Sequence, residues 1–225
     1  MNKSKLICII NARSGSKRIK NKNIITFYDK PLIYWTINAA KKSKIFNEIY
    51  VNTDSELISK ISKKYGAKVP FIRPKELAQD MTTSVDSTVF FIENLNISFD
   101  YFSLLQPTSP LRTKNDIINF HNFVEKNKFK SAVTLSLLQN NSSNAYGISR
   151  GYSLKLLDNK EINIYKKKYY FNGSIYYNNV YSFLRYQRFI FTYTKGYIMN
   201  RTNSIDIDTL DDLKIAKKYF KHYIK

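Results

Sequence analysis

The stretch Ser204-Ile205-Asp206-Ile207-Asp208 sets two carboxylates two positions apart. In an extended chain, alternation sends Ile205 and Ile207 to one face and both aspartates to the other, with Cα atoms roughly 6–7 Å apart. Carboxylates that close repel each other unless positive charge lies between them. A divalent cation, which prefers oxygen ligands, is the natural occupant. The plainer alternatives are that one aspartate caps the following helix or pairs with a lysine. A second cluster, Asn11-Ala12-Arg13-Ser14-Gly15-Ser16-Lys17-Arg18 followed by Lys22-Asn23, mixes small residues with cations. Small residues let successive backbone N–H groups converge on an anion, and Arg13, Lys17 and Lys22 carry charge suited to phosphate oxygens. Walker spacing is absent, and a solvated basic loop is the plain alternative. In the third cluster, Gln106-Pro107-Thr108-Ser109-Pro110-Leu111-Arg112, two prolines stiffen the backbone and hold Gln106 and the hydroxyls in place, as they do in many ordinary loops. A phosphate loop beside paired aspartates suits nucleoside triphosphate chemistry, in which Mg²⁺ neutralises the phosphates during in-line attack. No Cys–His or Ser–His–Asp arrangement competes. His121 and His222 fall on predicted helices away from the three clusters and are expected at the surface.

The elements that must position these clusters alternate. Residues 6–10 are a continuous apolar run, as expected of a strand covered on both faces. Residues 31–42 read as a helix, 48–51 as a strand, and 55–65 as a helix stopped by Gly66. Strands follow at 68–72, 101–105 and 131–138, with helices at 84–95 and 114–126. The pattern then breaks: 139–144 is polar, 147–168 irregular and basic, and 174–183 strand-like. A last strand is expected at 205–207 and a helix from about 210 to 223, with Thr209 and Asp212 as its capping pair. Such alternation predicts an α/β fold of three layers, a mostly parallel Rossmann-like sheet with helices on both faces. Each polar cluster falls beyond the C-terminal end of a strand, where parallel sheets place their sites.

Composition narrows the function classes. The 225 residues hold 37 Lys+Arg against 17 Asp+Glu, a net charge of +20. That excess would suit a polyanion partner. Yet 29 of the 37 cations are lysine and 8 are arginine, with Asn, Ile and Tyr abundant, which is the mark of an AT-rich genome. No nucleic-acid-binding module is recognisable. A basic, non-catalytic nucleic-acid-binding protein therefore stands as the rival class, and it leaves the paired aspartates without a purpose. A hydrophobic content of 43% excludes a disordered chain. No apolar run reaches the roughly 20 residues of a membrane helix, and residues 6–10 are too short for a signal peptide. With Cys8 the one cysteine, a cytoplasmic chain is expected.

Six segments in order resemble the acylneuraminate cytidylyltransferases, the CMP-sialic acid synthetases. They are Ala12 to Lys17 with Lys22-Asn23, Asn52-Thr53-Asp54, Arg73-Pro74-Lys75-Glu76-Leu77-Ala78, Leu105 to Arg112, Asn172-Gly173-Ser174-Ile175-Tyr176, and Ser204 to Asp208. The resemblance implies one nucleotidyltransferase domain over 1–225 that moves CMP from CTP to the C2 hydroxyl of a nine-carbon α-keto acid sugar, releasing pyrophosphate. It implies that Arg13, Ser16, Lys17 and Lys22 hold the triphosphate, that Asn23, Arg73 and Ser84 contact the cytidine, that Gln106 places the sugar, and that Asp206 and Asp208 hold Mg²⁺. It also implies a homodimer, with about 139–183 as an inserted dimerisation and sugar-site segment, and no nucleic-acid or membrane partner. The nearest enzymatic alternative is a synthetase for another acidic keto sugar such as 3-deoxy-manno-octulosonate. Relatives that use N-acetylneuraminate carry a His-Pro and a Lys around 141–144 and an Arg about ten residues before Asn172, where Ile162 stands here. The departure points to another acid, such as legionaminic or pseudaminic acid, or to substitution by Lys155, Lys160 or one of Lys166, Lys167 and Lys168.

Overall fold

The first strand, β1 (Leu6–Asn11), has Ile7 to Ile10 all fully buried, and the reason is alternation. Cys8 and Ile10 face one apolar core, and Ile7 and Ile9 face another. A strand feeding two cores must be the middle of a three-layer sandwich. The computed structural model describes residues 5–138, 144–158 and 160–224, with the side chains of 222–224 outside the described set.

After β1 come the two-residue strands β2 (Thr26–Phe27) and β3 (Lys30–Pro31), then α1 (Leu32–Ser43), β4 (Glu48–Asn52) and α2 (Glu56–Lys64). Gly66 has φ +91° and terminates α2 in a conformation that other residues adopt at a cost. Next are α3 (Ser84–Glu93), β5 (Tyr101–Leu105), α4 (Lys114–Lys126) and β6 (Ser131–Leu137). A hairpin-like pair, β7 (Tyr146–Ile148) and β8 (Leu154–Leu156), precedes the short α5 (Glu161–Ile164). The chain closes with β9 (Tyr169–Asn179), α6 (Val180–Tyr186), β10 (Lys195–Ile198) and α7 (Leu210–Ile224). Helices α1, α2 and α4 pack on one face and α3 and α6 on the other. Among the described residues no helix is long and apolar enough to cross a membrane.

The sheet runs β10-β6-β9-β5-β1-β4. Along that path the pairs are parallel except at β9, which lies antiparallel between β5 and β6. Thus the 139–183 stretch contributes a central strand, because 169–179 is built into the main sheet. β9 also carries a register shift opposite Val133 and Leu135, at Asn172-Gly173. Gly173 has φ +72°, and Asn172 fastens the irregularity: its Oδ1 accepts from Thr134 Oγ1 at 2.7 Å and from Ser174 N at 3.0 Å.

Three sequence expectations are corrected. Residues 68–72 make one parallel bridge, Tyr50 to Lys68, and no strand, since the chain turns away at Pro70. Residues 205–207 are extended but join no ladder; Ile207 N donates to Thr108 O at 2.8 Å instead. His121 is buried, not at the surface. The side chain of His222 and residues 139–143 of the polar stretch lie outside the described residues.

His121 fills the space between α4 and β5, with Nε2 2.9 Å from Ser103 Oγ and Nδ1 2.8 Å from Ile117 O. The carbonyl requires a proton on Nδ1, which leaves Nε2 to accept from the serine. Burial pushes its pKa down from 6.5 to about 4. The unfolded chain therefore binds a proton below pH 6.5 that the folded protein refuses until about pH 4. Stability from this residue is present above pH 6.5 and declines across that window, by on the order of 3 kcal/mol in total. Denaturation midpoints at pH 7, 5.5 and 4.5 should fall more steeply for the parent than for His121→Asn. Parallel declines would refute the assignment.

Candidate active site

Asp206 and Asp208 line a cavity of about 680 Å³ together with Lys22, Gln106, Thr108, Asn172, Tyr176 and Arg201. That volume is typical of small-molecule sites. Four tethers hold the aspartate segment without a sheet. Ile207 N donates to Thr108 O at 2.8 Å, and Ser204 Oγ is hydrogen-bonded to Ser136 Oγ at 2.6 Å. Asn203 Nδ2 donates to Asp116 at 3.0 Å, and Asp208 N donates to Asp212 Oδ2 at 3.1 Å. The predicted capping pair is present: Thr209 N donates to Asp212 Oδ2 at 2.7 Å and Asp212 N to Thr209 Oγ1 at 3.2 Å.

The two aspartates differ electrostatically. Asp208 pairs with Lys22 and with Arg18, each at 2.7 Å, and these cations hold its carboxyl below the usual range, Lys22 foremost. The lysine pairing foreseen for one member of the pair thus occurs at Asp208. Asp206 opens to solvent at the cavity mouth, yet the surrounding protein removes enough water to push its carboxyl up. Asp208 and Asp212 add to the rise, while the Thr108 hydroxyl and Lys22 oppose it. The pair is therefore one neutralised carboxylate beside one that lacks a full counter-charge.

The basic loop after β1 is shaped by contacts to neighbouring strands. Ala12 N donates to Asn52 O at 2.9 Å, and Ser14 N to Asp54 Oδ1 at 2.8 Å. Asn23 Nδ2 donates to Arg13 O at 2.9 Å, which closes the loop on itself. Arg13 Nη1 reaches Gln79 O at 3.0 Å and Asp80 Oδ1 at 3.1 Å, and Lys17 Nζ lies 3.0 Å from Asp80 Oδ2. Ser16 is half-buried between Gly15 and Lys17. Arg73 is buried, with Nη2 3.9 Å from Asp54 Oδ1; burial, the largest influence, lowers its pKa. Ser84, at the start of α3, accepts from Asn11 Nδ2 at 3.4 Å through its carbonyl. Two buried polar atoms here, Asn23 Oδ1 and Arg73 Nε, have no hydrogen-bond partner among the described residues. Buried polar groups are otherwise almost always paired, so two orphans beside one loop call for an explanation, which a bound ligand would supply.

Lys22, Gln106, Asp206 and Asp208 therefore meet in one cavity, while Arg13, Ser16, Lys17, Asn23, Arg73 and Ser84 gather around the loop that forms its neighbour. Sequence reasoning assigned no role to Asp54 and Asp80. Asp54 follows the end of β4, so the strand-end rule that located the other clusters would have found it. Asp80 lies in an irregular loop with no local signal.

The profile of one family, described as cytidylyltransferase, matches residues 7–224. The chain belongs to the cytidylyltransferase family. It is 37% identical, over 95% of its length, to an N-acylneuraminate cytidylyltransferase of Escherichia coli O18:K1:H7, and spans about half of that relative, 52%. It is 33% identical to a pseudaminic acid cytidylyltransferase of Campylobacter jejuni, with 96% of this chain and 97% of the relative covered. A CMP-N,N'-diacetyllegionaminic acid synthase of Legionella pneumophila is 35% identical, with 95% of each chain covered. Among solved structures, a CMP:2-keto-3-deoxy-manno-octonic acid synthetase complexed with CTP superposes with a TM-score of 0.78 at 14% identity, over 98% of this chain and 100% of that one. That likeness is one of fold.

Proposed function

We propose that this cytidylyltransferase transfers CMP from CTP to the C2 hydroxyl of a nonulosonic acid. The acceptor oxygen bonds to the α-phosphorus, the bond to the β-phosphate bridge breaks, pyrophosphate leaves and the hydroxyl proton passes to solvent. The observation that carries the reading is the meeting of Asp206, Asp208, Lys22 and Gln106 in one cavity beside the basic loop. The three relatives are named for three different acids, so the class of acceptor is common to them and the individual sugar is set by cavity-lining side chains.

In this reading Arg13, Lys17 and Lys22 bind the triphosphate with Ser16, exchanging their carboxylate partners for phosphate oxygens. Asn23, Arg73 and Ser84 take the cytidine, and Gln106 the sugar. Asp206 and Asp208 would hold Mg²⁺. Their donor set fits: both carboxylates line one cavity, and Mg²⁺ favours one or two carboxylates completed by substrate phosphates and water. When bound, the ion neutralises triphosphate charge as it builds on the leaving pyrophosphate. A homodimer and a cytoplasmic location complete the proposal; the exposed Leu156 and Ile164 in the 139–183 segment are apolar surface that a second copy would cover.

The test is pyrophosphate release with CTP, Mg²⁺ and a panel of neuraminic, legionaminic, pseudaminic and octulosonic acids. Turnover is expected with at least one of the first three. Silence with all four would overturn the reading.

A further inference from the structure

An acidic acceptor entering this cavity meets three carboxylates, those of Asp206, Asp208 and Asp212. With Mg²⁺ on Asp206 and Asp208 given over to the triphosphate in the reading above, its own carboxylate needs a further cation, or desolvation and repulsion would exclude it. None of the basic residues suggested by sequence, Lys160 included, lines this cavity. Lys155 is paired with Glu161, and Lys168 Nζ donates to Ile162 O at 3.0 Å. Lys166 and Lys167 line a separate cavity with Arg150 and Tyr165. Of the two cations that line the aspartate cavity among the described residues, Lys22 is held 2.7 Å from Asp208 and is committed to the phosphate side. The other is Arg201, which has no carboxylate within ion-pair distance among the described residues.

Resting on the function proposed above, we infer that Arg201 is the residue that binds the carboxylate of the acceptor sugar. It stands at the head of the short 3-10 turn Thr202–Ser204, five positions before Asp206, and its carbonyl accepts from Ser204 N at 3.2 Å and Ser204 Oγ at 3.1 Å. The backbone beneath the side chain is therefore fixed relative to the aspartates, while the guanidinium stays exposed and able to swing to the ligand. A guanidinium matches a carboxylate with two parallel hydrogen bonds, which an ammonium cannot reproduce. Tyr170, Phe171 and Tyr176 on the facing wall offer apolar surface for the sugar ring.

The experiment is steady-state kinetics of the full chain carrying Arg201→Gln or Arg201→Lys, with the best acid from the panel and its carboxamide as acceptors. Loss of a charge-assisted bidentate contact should raise the acceptor KM about tenfold to a hundredfold. The CTP KM and the Tm should stay near the parent values, and Arg201→Lys should recover part of the loss. The parent's preference for acid over carboxamide should collapse in Arg201→Gln, an effect that general disruption would not produce. Lys60→Gln, exposed on α2, should leave both constants unchanged. An unchanged acceptor KM, or a retained acid preference, in Arg201→Gln would overturn the inference and leave the parent activity standing. A parent protein silent with every acid would instead overturn both.

Discussion

The Asp206→Asn variant should fold as the parent does and lose about a thousandfold or more in turnover, the scale expected when a group that organises charge on a transferring phosphoryl is removed. Asparagine keeps the shape and can still meet the Thr108 hydroxyl that opposes the rise in the Asp206 pKa. The side chain is open to the cavity, so little packing is disturbed and the Tm should move by no more than a few degrees. Initial rates of pyrophosphate release at saturating CTP and acceptor, read beside a thermal melt, decide the matter. Retained Mg²⁺-dependent turnover would remove Asp206 from the proposed metal site. Asp206 is the sharper choice for this test, because Asp208 also holds Lys22 and Arg18, and its loss would disturb the cations as well.

Arg112→Ala should instead be a folding defect, costing on the order of 3 kcal/mol or more. Arg112 is fully buried and faces no carboxylate in an ion pair among the described residues. Its Nη1 donates to Ser174 O at 2.6 Å and Ser174 Oγ at 3.2 Å, and Nη2 to Thr36 Oγ1 at 2.8 Å and Gln106 O at 3.2 Å. Burial lowers its pKa to about 10, so it remains charged at neutral pH. One side chain thus bolts the Gln106 loop to β9 and α1. Truncation leaves these acceptors unpaired and a cavity behind. At about 2–4 °C per kcal/mol for a chain of this size, the Tm should fall by about 6–12 °C. Arg112→Met refills the volume but restores no hydrogen bond, so it should recover only part of the loss. A methionine variant as stable as the parent would mean that burying the guanidinium costs as much as its hydrogen bonds return.

How much of this was legible in the chain depended on the range over which the information acts. The run at 6–10 reports its own burial, since only a strand covered on both faces tolerates continuous apolar residues. Residues 101–105 and 114–126 match β5 and α4 end for end, because periodicity and caps are local. The Thr209–Asp212 box was readable for the same reason. The identical spacing at Thr83–Asp86 and Thr113–Asp116, which caps α3 and α4, carries the same local signal. The ends of β1 and β5 placed two of the three polar clusters, and the order of six short segments pointed to the family that the profile then matched.

Other features depended on residues that meet only in three dimensions. The antiparallel insertion of β9 between β5 and β6 is set by pairing partners that lie 70 or more residues away for β5, as at Leu105 and Ile175. His121 was misjudged because a single polar residue on a helix gives no sign of the Ser103 and Ile117 groups that satisfy it. The hold of Asp80 on Arg13 and Lys17 spans more than sixty positions through an irregular loop.

The paired aspartates show both limits at once. By itself the sequence determined that two carboxylates would share one side of an extended segment, since alternation follows from backbone geometry. Only the tertiary structure decided that Asp208 would be neutralised by Lys22 and Arg18 while Asp206 is raised by burial. Charge and burial at a point sum contributions from the whole fold, and local sequence records few of them.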